Sequence, residues 1–326
     1  MRLSDLEYEL PPELIAQAPL QRRDGSRLLV FDRAKGEVRH RRFSDLPEEL
    51  RKEDLVVLNN TKVVPGRLNL RRMSGGKAEV FLVEPRGGDI WEALCRPSRR
   101  LSVGERLDSV DPEFGLVELI EDCGSGRWLV RVEGKMGGEL PLPPYIHEPL
   151  VDESRYQTIF ANVSGSAAAP TAGLHLTSDL LSYLNHVFVT LHIGPDTFRP
   201  VTEMELEKHR MHGERYKVSS ESWKRISDAD RVVAIGTTSV RTLEAIAHSV
   251  SELGSPCLDG RTDLFIQPGH IFHVVDALVT NFHLPCSTLL ALVMAFAGIE
   301  QTRDLYRIAV EDRYRFYSFG DAMLVL

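Results

Sequence analysis

Cysteine is scarce in this sequence, and its four cysteines are widely separated. They include no C-x-x-C pair, so the chain lacks the ligand spacing of a cysteine-rich zinc site and the framework of a disulfide-stabilised domain. The four residues are Cys95, Cys123, Cys257 and Cys286. This usage predicts reduced thiols in a cytoplasmic protein.

Long apolar segments are also missing. The longest run, residues 284–298, is shorter than the roughly 20 residues that a membrane-spanning helix needs, and Pro285, Ser287 and Thr288 interrupt it. The first residues, MRLSDLEYELPPEL, carry early acidic side chains and no apolar segment typical of a signal peptide. We therefore expect a protein without membrane attachment.

The chain lacks an excess of positive charge, since 39 Lys and Arg face 47 Asp and Glu, a formal net charge of −8. Nucleic-acid-binding domains are usually basic, so any contact with RNA must come from local patches. The candidate patches are residues 39–42, Arg71 with Arg72 and Lys77, Arg96 with Arg99 and Arg100, and a predicted basic helix with Lys208, His209, Arg210, His212 and Arg215. For each patch a solvated surface is the commoner interpretation.

The sequence does contain a clear change of pattern along its 326 residues, a length that suits two domains or one large one. Between residues 67 and 133, short runs of alternating apolar and polar residues are separated by glycine-rich turns. This period of two predicts antiparallel strands. Because almost no helical pattern occurs there, we expect a small barrel or sandwich.

Elsewhere the chain alternates between strand and helix patterns. Predicted helices cover residues 10–18, 202–218 and 238–249, and predicted strands cover residues 27–32, 37–42, 54–58, 186–193 and 231–235. This rhythm predicts a mixed or parallel sheet covered by helices. We therefore expect an α/β fold with a discontinuous mixed-sheet main domain, residues 1–64 and 150–326, and an inserted small antiparallel β-barrel, residues 65–149.

Residues 263–298 are apolar enough for a core, yet they include the polar residues His270, His273, Asp276, Asn281 and His283. Buried polar groups are costly unless they are paired, so this concentration indicates function. We predict strand 264–266, a turn at 268–269, an extended segment 272–278, a polar loop 280–285 and helix 289–297 capped by Ser287 or Thr288. Such an order is typical of the ligand-binding edge of an α/β sheet.

His270, His273 and His283 are the residues that a metal site in this stretch would use. The extended segment predicted here places His270 and His273 on opposite faces, and no H-E-x-x-H motif is present. We therefore expect no metal, and an acid–base or hydrogen-bonding role for Asp276, Asn281 and His283. The alternative for these three residues is a polar network that holds the loop.

A second candidate site follows the predicted strand 231–235. Gly236, Thr237 and Thr238 form a tight turn into a helix whose first turn contains Arg241. Free backbone N–H groups at a helix N-terminus suit an anion, although the spacing and the lysine of a Walker loop are absent. An ordinary capped strand–helix turn is the alternative.

A third candidate is the loop 170–177, which follows the small residues 165–169. Small side chains around Thr171 and Gly173 allow the backbone to approach a flat ligand. His175 is a candidate acid or base because the pKa of histidine lies near working pH. The alternative is a packed loop with a hydrogen-bonded histidine.

Several segments closely resemble the S-adenosylmethionine:tRNA ribosyltransferase-isomerase family of queuosine biosynthesis. They are RRDGSRLLV, PTAGLHLT at 170–177, LHIGPDTFRPV at 191–201, GTTSVRTLE at 236–244, residues 265–298 and YRFYSFGDAMLVL at 314–326. The matches run through the whole chain in the family's order. One departure is Pro195-Asp196, where relatives usually carry a small residue and glycine. It lies beside Thr197 and Arg199, where Arg199 is expected to pair with a carboxylate or phosphate, or to form a structural salt bridge.

The resemblance implies the same two-domain arrangement and a specific reaction. The ribosyl part of S-adenosylmethionine is transferred to 7-aminomethyl-7-deazaguanine in a tRNA with a GUN anticodon, and isomerisation gives epoxyqueuosine with release of adenine and methionine. S-adenosylmethionine is consumed as a substrate, so no cofactor is expected. We expect a monomer without an obligate protein partner.

The chemical demands of this reaction suggest hypothetical roles for the candidate residues. A base, His175 or Asp276, removes a proton beside the sulfonium, and His283 protonates the departing adenine. The turn at Gly236 with Arg241 binds the methionine carboxylate. Two rival interpretations remain at this point: an RNA-binding module without catalysis, whose barrel binds oligonucleotides, and a metal-dependent nucleotide hydrolase that uses the histidines.

Overall fold

The computed structural model describes residues 1–109, 115–134, 137–194, 203, 205–206, 211 and 213–326. Its strands are β1 Arg27–Asp32, β2 Glu37–Arg42, β3 Leu55–Asn59, β4 Thr61–Val63, β5 Arg67–Arg72, β6 Lys77–Gly87, β7 Ile90–Arg96, β8 Arg106–Ser109, β9 Leu116–Gly124, β10 Arg127–Glu133, β11 Val163–Ser166, β12 His186–Leu191, β13 Glu214–Lys217, β14 Val232–Ile235, β15 Asp259–Thr262, β16 Ala277–Asn281 and β17 Ala322–Val325. Its α-helices are α1 Leu46–Glu49, α2 Ser178–Ser182, α3 Ser220–Ser227, α4 Thr237–Leu253, α5 Thr288–Ala297 and α6 Ile299–Glu311.

The chain divides into two compact units. The main unit comprises Met1–Thr61, Pro143–Asn162 and Pro170–Leu326, and the barrel unit comprises Lys62–Leu142 and Val163–Ala169. The sequence predicts 65–149 for the insertion, whereas residues 143–149 lie in the main unit and residues 163–169 lie in the barrel unit. The second difference arises because β11 pairs with β4, a contact that no local pattern reveals.

The main unit is built on a mixed sheet with the strand order β15-β13-β12-β3-β14-β16-β17-β1-β2. Strands β12, β3, β14 and β16 are parallel, β17 is antiparallel to β16, and β1 is parallel to β17. The interior strand β3 is buried along its whole length, which explains why its sequence LVVLN is apolar up to its last residue, Asn59. The expected mixed-sheet α/β fold is confirmed.

The barrel unit contains a closed antiparallel barrel with the strand order β10-β7-β6-β5-β8-β9. Along β7 and β10 buried and partly exposed residues alternate, as the period of two predicts. The buried positions form one core that includes Val80 and Trp128. The predicted inserted barrel is therefore also confirmed.

Two predicted helices differ from the structure. Within residues 10–18 only Pro12–Leu14 is helical, as a short 3-10 turn, because Ile15 pairs with Phe316 as an isolated bridge. Within the predicted helix 202–218, Glu214–Lys217 forms strand β13, between β12 and β15. The segment E-R-Y-K alternates buried and exposed side chains, so strand pairing prevails over helical spacing.

The sequence predicts a strand at 264–266 and an extended segment at 272–278. In the structure neither segment is a strand until β16, which begins at Ala277. The preceding loop has a different set of hydrogen bonds. The buried carboxylate of Glu244 accepts the backbone N–H groups of His273 at 2.9 Å, Val274 at 3.1 Å and Val275 at 3.1 Å. Because a side chain satisfies these donors, they do not join a strand ladder.

The predicted helix after this strand is present as α5. Its N-cap is Ser287, whose hydroxyl accepts the N–H of Leu290, so the predicted cap is confirmed. Within the described ranges, no helix combines the length and apolarity needed to cross a membrane.

Candidate functional site

Several of the candidate residues, among them His175, Gly236 and Asn281, gather at one edge of the main sheet, which we call the site edge. There the parallel strands β3, β12, β14 and β16 end, and β17 and β1 begin. The residues at this edge include Asn59, Gly236 and Asn281 at or just after strand ends, and Ser26 and Asp321 just before strand starts. Ligands of open α/β sheets bind at the carboxyl ends of the strands.

His175 is the centre of the site edge. It ends the 3-10 turn Thr171–His175 and is buried. Its Nδ1 lies 2.8 Å from the hydroxyl oxygen of Ser26, and its Nε2 lies 3.2 Å from Nδ2 of Asn281. The ring of Phe43 packs against it with a centroid distance of 4.8 Å.

The neighbours of Asn281 fix the tautomer of His175. Asn281 Nδ2 also lies 3.1 Å from the backbone carbonyl of Tyr317, and a carbonyl can only accept. The amide nitrogen therefore donates on this side, and Nε2 of His175 accepts its hydrogen bond. The proton of a neutral His175 is then on Nδ1, from which it is donated to Ser26.

The surroundings of His175 keep its ring neutral. The pKa of His175 is lowered to about 4, mainly by burial and also by the positive charges of Arg315 and Arg23, against a hydrogen bond with the backbone of Arg23 that raises it. At neutral pH the ring therefore has a lone pair on Nε2, which can accept a proton but has none to give from that atom.

Asn281 leaves one polar atom without a partner. Its side chain is 2% exposed, and its Oδ1 has no hydrogen-bond donor among the described residues. A buried acceptor without a donor costs about 1–3 kcal/mol, and such atoms in native structures call for an explanation. An N–H or O–H group of a ligand would satisfy this oxygen.

A tight turn before β17 positions the carbonyl of Tyr317. Tyr317 has a φ of 69°, a conformation that L-residues rarely adopt. A Cβ on Gly320 would lie 2.5 Å from the carbonyl oxygen of Arg315, so only glycine fits there. The carboxylate of Asp321 anchors the turn, since it accepts the backbone N–H groups of Arg27 and Arg315 at 2.8 Å each.

Ser26, Tyr317 and Asp321 did not stand out as individual residues in the sequence. The signal that could have identified them is their position inside the matching segments RRDGSRLLV and YRFYSFGDAMLVL. Asn59 was also missed. Its amide bonds to the hydroxyl of Thr238 at 3.2 Å and to the carbonyl of Leu191 at 3.0 Å, and so joins β3, β12 and the start of α4.

Gly236, Thr237 and Thr238 lie where the sequence predicts them, at the turn from β14 into α4. Gly236 has a φ of 88°, which favours glycine. Thr237 and Thr238 are buried in the first turn of α4. This helix N-terminus faces the site edge and suits an anionic group.

Arg241 does not face a ligand as expected. It is buried in an ion pair with Glu214, and its Nε donates to the carbonyl of Leu264 at 3.1 Å. The other oxygen of Glu214 accepts the backbone N–H of Gly194 at 3.0 Å. The guanidinium therefore fastens α4 to β13 and to the loop after β12, and it is not available to a carboxylate of a substrate.

Gly173 is small for a packing reason. A Cβ on it would lie 2.9 Å from the ring of Phe160 and 3.0 Å from the methyl group of Thr158. Thr171 is half-buried at the start of the same 3-10 turn. Thr197 and Arg199 lie outside the described residues, as do Pro195 and Asp196.

Asp276 is not brought to this cluster. It precedes the first residue of β16, whereas Asn281 is the last, so the two lie at opposite edges of the sheet. Its side chain accepts the backbone N–H of Val232 at 2.7 Å, and its carbonyl accepts from Arg33 at 2.7 Å. Asp276 is thus an exposed residue that stabilises the starts of β14 and β16.

His283 lies on the site edge, two residues after Asn281, and is buried. Its Nε2 is 2.8 Å from the hydroxyl of Thr280, and its backbone N–H and carbonyl bond to the hydroxyls of Tyr306 and Tyr8. Burial lowers the pKa of His283 to about 3. A neutral ring at pH 7 is a poor proton donor to adenine.

The basic patches are partly neutralised by local partners. Arg39 and Arg41 on β2 both pair with Glu49, and Arg72 pairs with Glu105. Arg215 lies on β13 and not on a helix, while Lys208, His209, Arg210 and His212 lie outside the described residues. In the described part of the chain, no three His, Cys, Asp or Glu side chains come together as metal ligands.

Comparison with known proteins gives one consistent result. The family described as queuosine biosynthesis protein matches residues 3–325. Proteins named S-adenosylmethionine:tRNA ribosyltransferase-isomerase match along their whole length: that of Rubrobacter xylanophilus is 50% identical, with 100% of this chain and 98% of the relative covered, and that of Moorella thermoacetica is 48% identical, with 100% of both covered.

A solved structure agrees with these sequence matches. The crystal structure of S-adenosylmethionine tRNA ribosyltransferase from Thermotoga maritima is 37% identical, with a TM-score of 0.56, and the match covers 99% of this chain and 100% of that one. The sheet, the barrel and the full-length matches agree with the resemblance of the sequence motifs. The chain therefore belongs to the queuosine biosynthesis protein family, that of the S-adenosylmethionine:tRNA ribosyltransferase-isomerases.

Proposed function

We propose that this protein transfers and isomerises the ribosyl part of S-adenosylmethionine onto 7-aminomethyl-7-deazaguanine in the anticodon of tRNAs with a GUN anticodon. The products are epoxyqueuosine-tRNA, adenine and methionine. Relatives with this enzyme name match the whole chain at 44–50% identity, which supports the proposal. The observation in the structure that carries it is a buried neutral histidine, His175, beside an amide oxygen without a partner.

His175 is the proposed base. The positive sulfur of S-adenosylmethionine acidifies the neighbouring C–H bonds, so a modest base suffices to remove a proton. The ring is neutral, and its Nε2 has only the 3.2 Å hydrogen bond from Asn281 to give up. Its other nitrogen stays fixed by Ser26 at 2.8 Å, which holds the ring in position.

The remaining groups of the site edge bind and orient substrate. The N-terminus of α4, with Gly236, Thr237 and Thr238, is the proposed site for the methionine carboxylate, because its N–H groups and dipole favour a negative charge. Asn281 Oδ1 accepts an N–H or O–H group of substrate. Thr171 is also proposed to bind substrate, because it begins the 3-10 turn Thr171–His175, whose Ala172 lies near Gly236.

Three of the expected roles change. Asp276 is not retained as a base because it lies at the opposite edge of the sheet. Arg241 becomes a positioning residue through its ion pair with Glu214. His283 becomes a residue that holds the loop after β16, because a pKa of about 3 leaves its ring neutral. The proposed roles of Thr197 and Arg199 are unchanged.

S-adenosylmethionine supplies the transferred ribosyl group and both leaving groups, methionine and adenine, so we propose a reaction without metal or redox cofactor. We also propose a cytoplasmic monomer that needs no protein partner. Two observations support this: all four cysteines are free, as in a reducing compartment, and His175, Ser26, Asn281 and Tyr317 meet within one chain.

The decisive experiment uses S-adenosylmethionine, EDTA-treated protein and an anticodon stem-loop that carries 7-aminomethyl-7-deazaguanine. We expect release of adenine together with the matching increase in RNA mass. RNA that is bound but unchanged would favour the binding-module interpretation, and activity that appears only after metal is restored would favour the hydrolase.

The role of His175 is tested by the substitution His175→Gln. We expect turnover to fall by about 10²- to 10⁴-fold, the usual contribution of a general base, with a much smaller change in binding. The matched control is His186→Gln, at the start of β12 on the opposite sheet edge, which should retain turnover. Equal turnover of the two variants would remove His175 from the mechanism.

A further inference from the structure

The segment RRDGSRLLV contributes Ser26 to the site, but its arginines are not yet explained. Arg23 lines a pocket in the main unit together with Arg155, Ser26, Leu174, His175 and Ser318. The pocket is shallow and open to solvent. Because Ser26 and His175 line it, the pocket adjoins the proposed base directly.

Both arginines are held in place by backbone carbonyls. Arg23 donates to the carbonyls of Leu174 at 3.1 Å and Ser154 at 3.0 Å. Arg155 donates to the carbonyls of Gln21 at 3.1 Å and Leu20 at 2.8 Å. These neutral acceptors orient the guanidinium groups but do not compensate their charge.

Neither arginine forms a salt bridge with a described residue, although the exposed carboxylate of Asp152 attracts both. The buried Nε–H of Arg155 has no acceptor among the described residues. Burial lowers the pKa of Arg23 and the charge of Arg155 lowers it further, while the charge of Asp152 raises it in part. The neighbouring Arg22 differs, since Asp24 binds it through two contacts of 3.0 Å. Two partly buried cations that share one exposed carboxylate, Asp152, are incompletely compensated, which is costly.

We propose that an oxyanion of a substrate, a phosphate or a carboxylate, binds between Arg23 and Arg155 in this pocket. Guanidinium groups bind such planar or tetrahedral oxyanions through paired hydrogen bonds. The two sources are a phosphate of the tRNA backbone and the single carboxylate of S-adenosylmethionine, which in that case would bind here in place of the N-terminus of α4. The choice between them rests on the proposed function, whereas the affinity of the pocket for an oxyanion does not.

The first experiment measures the oxyanion site without any activity. The melting temperature of the protein is followed as inorganic phosphate is added, for wild type, Arg23→Gln, Arg155→Gln and the control Arg307→Gln. Arg307 is an exposed residue of α6 that pairs with Asp304 and Glu311. We expect phosphate to stabilise wild type and the control by mass action, and to lose this effect in both pocket variants.

The variant Arg23→Lys is a control for a folding defect. It retains the positive charge at this position but cannot form the paired hydrogen bonds of a guanidinium group. We expect it to retain a reduced phosphate effect. The same phosphate-induced shift in every variant overturns the proposal, and so does the absence of a shift in wild type. These outcomes are independent of the ribosyl transfer reaction.

The second experiment identifies the source of the oxyanion from KM values. If a tRNA phosphate binds, the pocket variants raise KM for the stem-loop by about 10- to 100-fold and decrease the slope of log KM against log salt by about one. If the carboxylate binds, KM rises for S-adenosylmethionine and the salt slope for RNA is unchanged. Unchanged KM for both substrates contradicts a substrate site here.

Discussion

At the scale of single residues, the site edge is governed by burial of histidine. His175 and His283 are both neutral in the folded chain, with pKa values of about 4 and about 3 instead of the usual 6.5. In the unfolded chain each recovers its ordinary pKa and binds a proton more readily. Their contribution to stability is thus complete above pH 6.5 and is lost as the pH falls below it.

This linkage predicts a pH dependence of stability. Each histidine should remove about 2 kcal/mol from the free energy of unfolding between pH 7 and pH 5. The variant His283→Gln should therefore lose about 2 kcal/mol less than wild type over that range, whatever its stability at pH 7. Urea unfolding at the two pH values measures the difference.

The control for this prediction is His248→Gln, which alters an exposed histidine on α4. It should show the same loss of stability as wild type between the two pH values. A His283→Gln variant that behaves like this control would mean that His283 is not buried neutral in solution.

At the scale of elements, the ion pair between Arg241 and Glu214 joins α4 to β13. Both side chains are buried, and Glu214 also accepts the backbone N–H of Gly194. Burying the two charges removes them from water, and the attraction between Arg241 and Glu214 offsets this desolvation cost only while both partners are present. This arrangement explains why an arginine in the first turn of a helix serves the scaffold and not the ligand.

The substitution Glu214→Gln should decrease the free energy of unfolding by about 3–5 kcal/mol, because it leaves a buried guanidinium without its counter-charge. A matched control lies one strand away: Lys217 on β13 and Asp259 on β15 form an exposed pair at 3.1 Å. Asp259→Asn should cost less than about 1 kcal/mol. Similar losses in the two variants, measured by urea unfolding, would contradict the role given to the buried pair.

At the scale of the whole molecule, local patterns predict the fold well and the site less well. Alternation of apolar residues predicts the barrel, and the strand–helix rhythm predicts the mixed sheet, because both patterns follow from which face is buried. The contacts of His175 cannot be predicted in this way. Ser26 is 149 residues away in sequence and Asn281 is 106 residues away, and only the completed sheet brings them together.

The errors have physical causes of the same kind. Arg241 looks like an anion ligand until β13 places Glu214 against it. Asp276 and Asn281 are close in sequence, but a strand separates them to opposite edges. The loop before β16 looks extended, yet Glu244 on α4 takes up its N–H groups. In each case contacts between residues distant in sequence decide the structure, and the conformation or role predicted from the neighbouring residues is not adopted.

The position of β17 has a consequence for the order in which the chain can fold during its synthesis. It lies between β16 and β1, and through it the hairpin of β1 and β2 joins the rest of the sheet. Of all the described strands, β17 is the last to leave the ribosome. The amino-terminal hairpin, made first, must therefore wait for almost the whole chain before its parallel partner exists. Contacts of such separation in sequence slow folding, and Ser26, at the start of β1, reaches its place beside His175 only at the end.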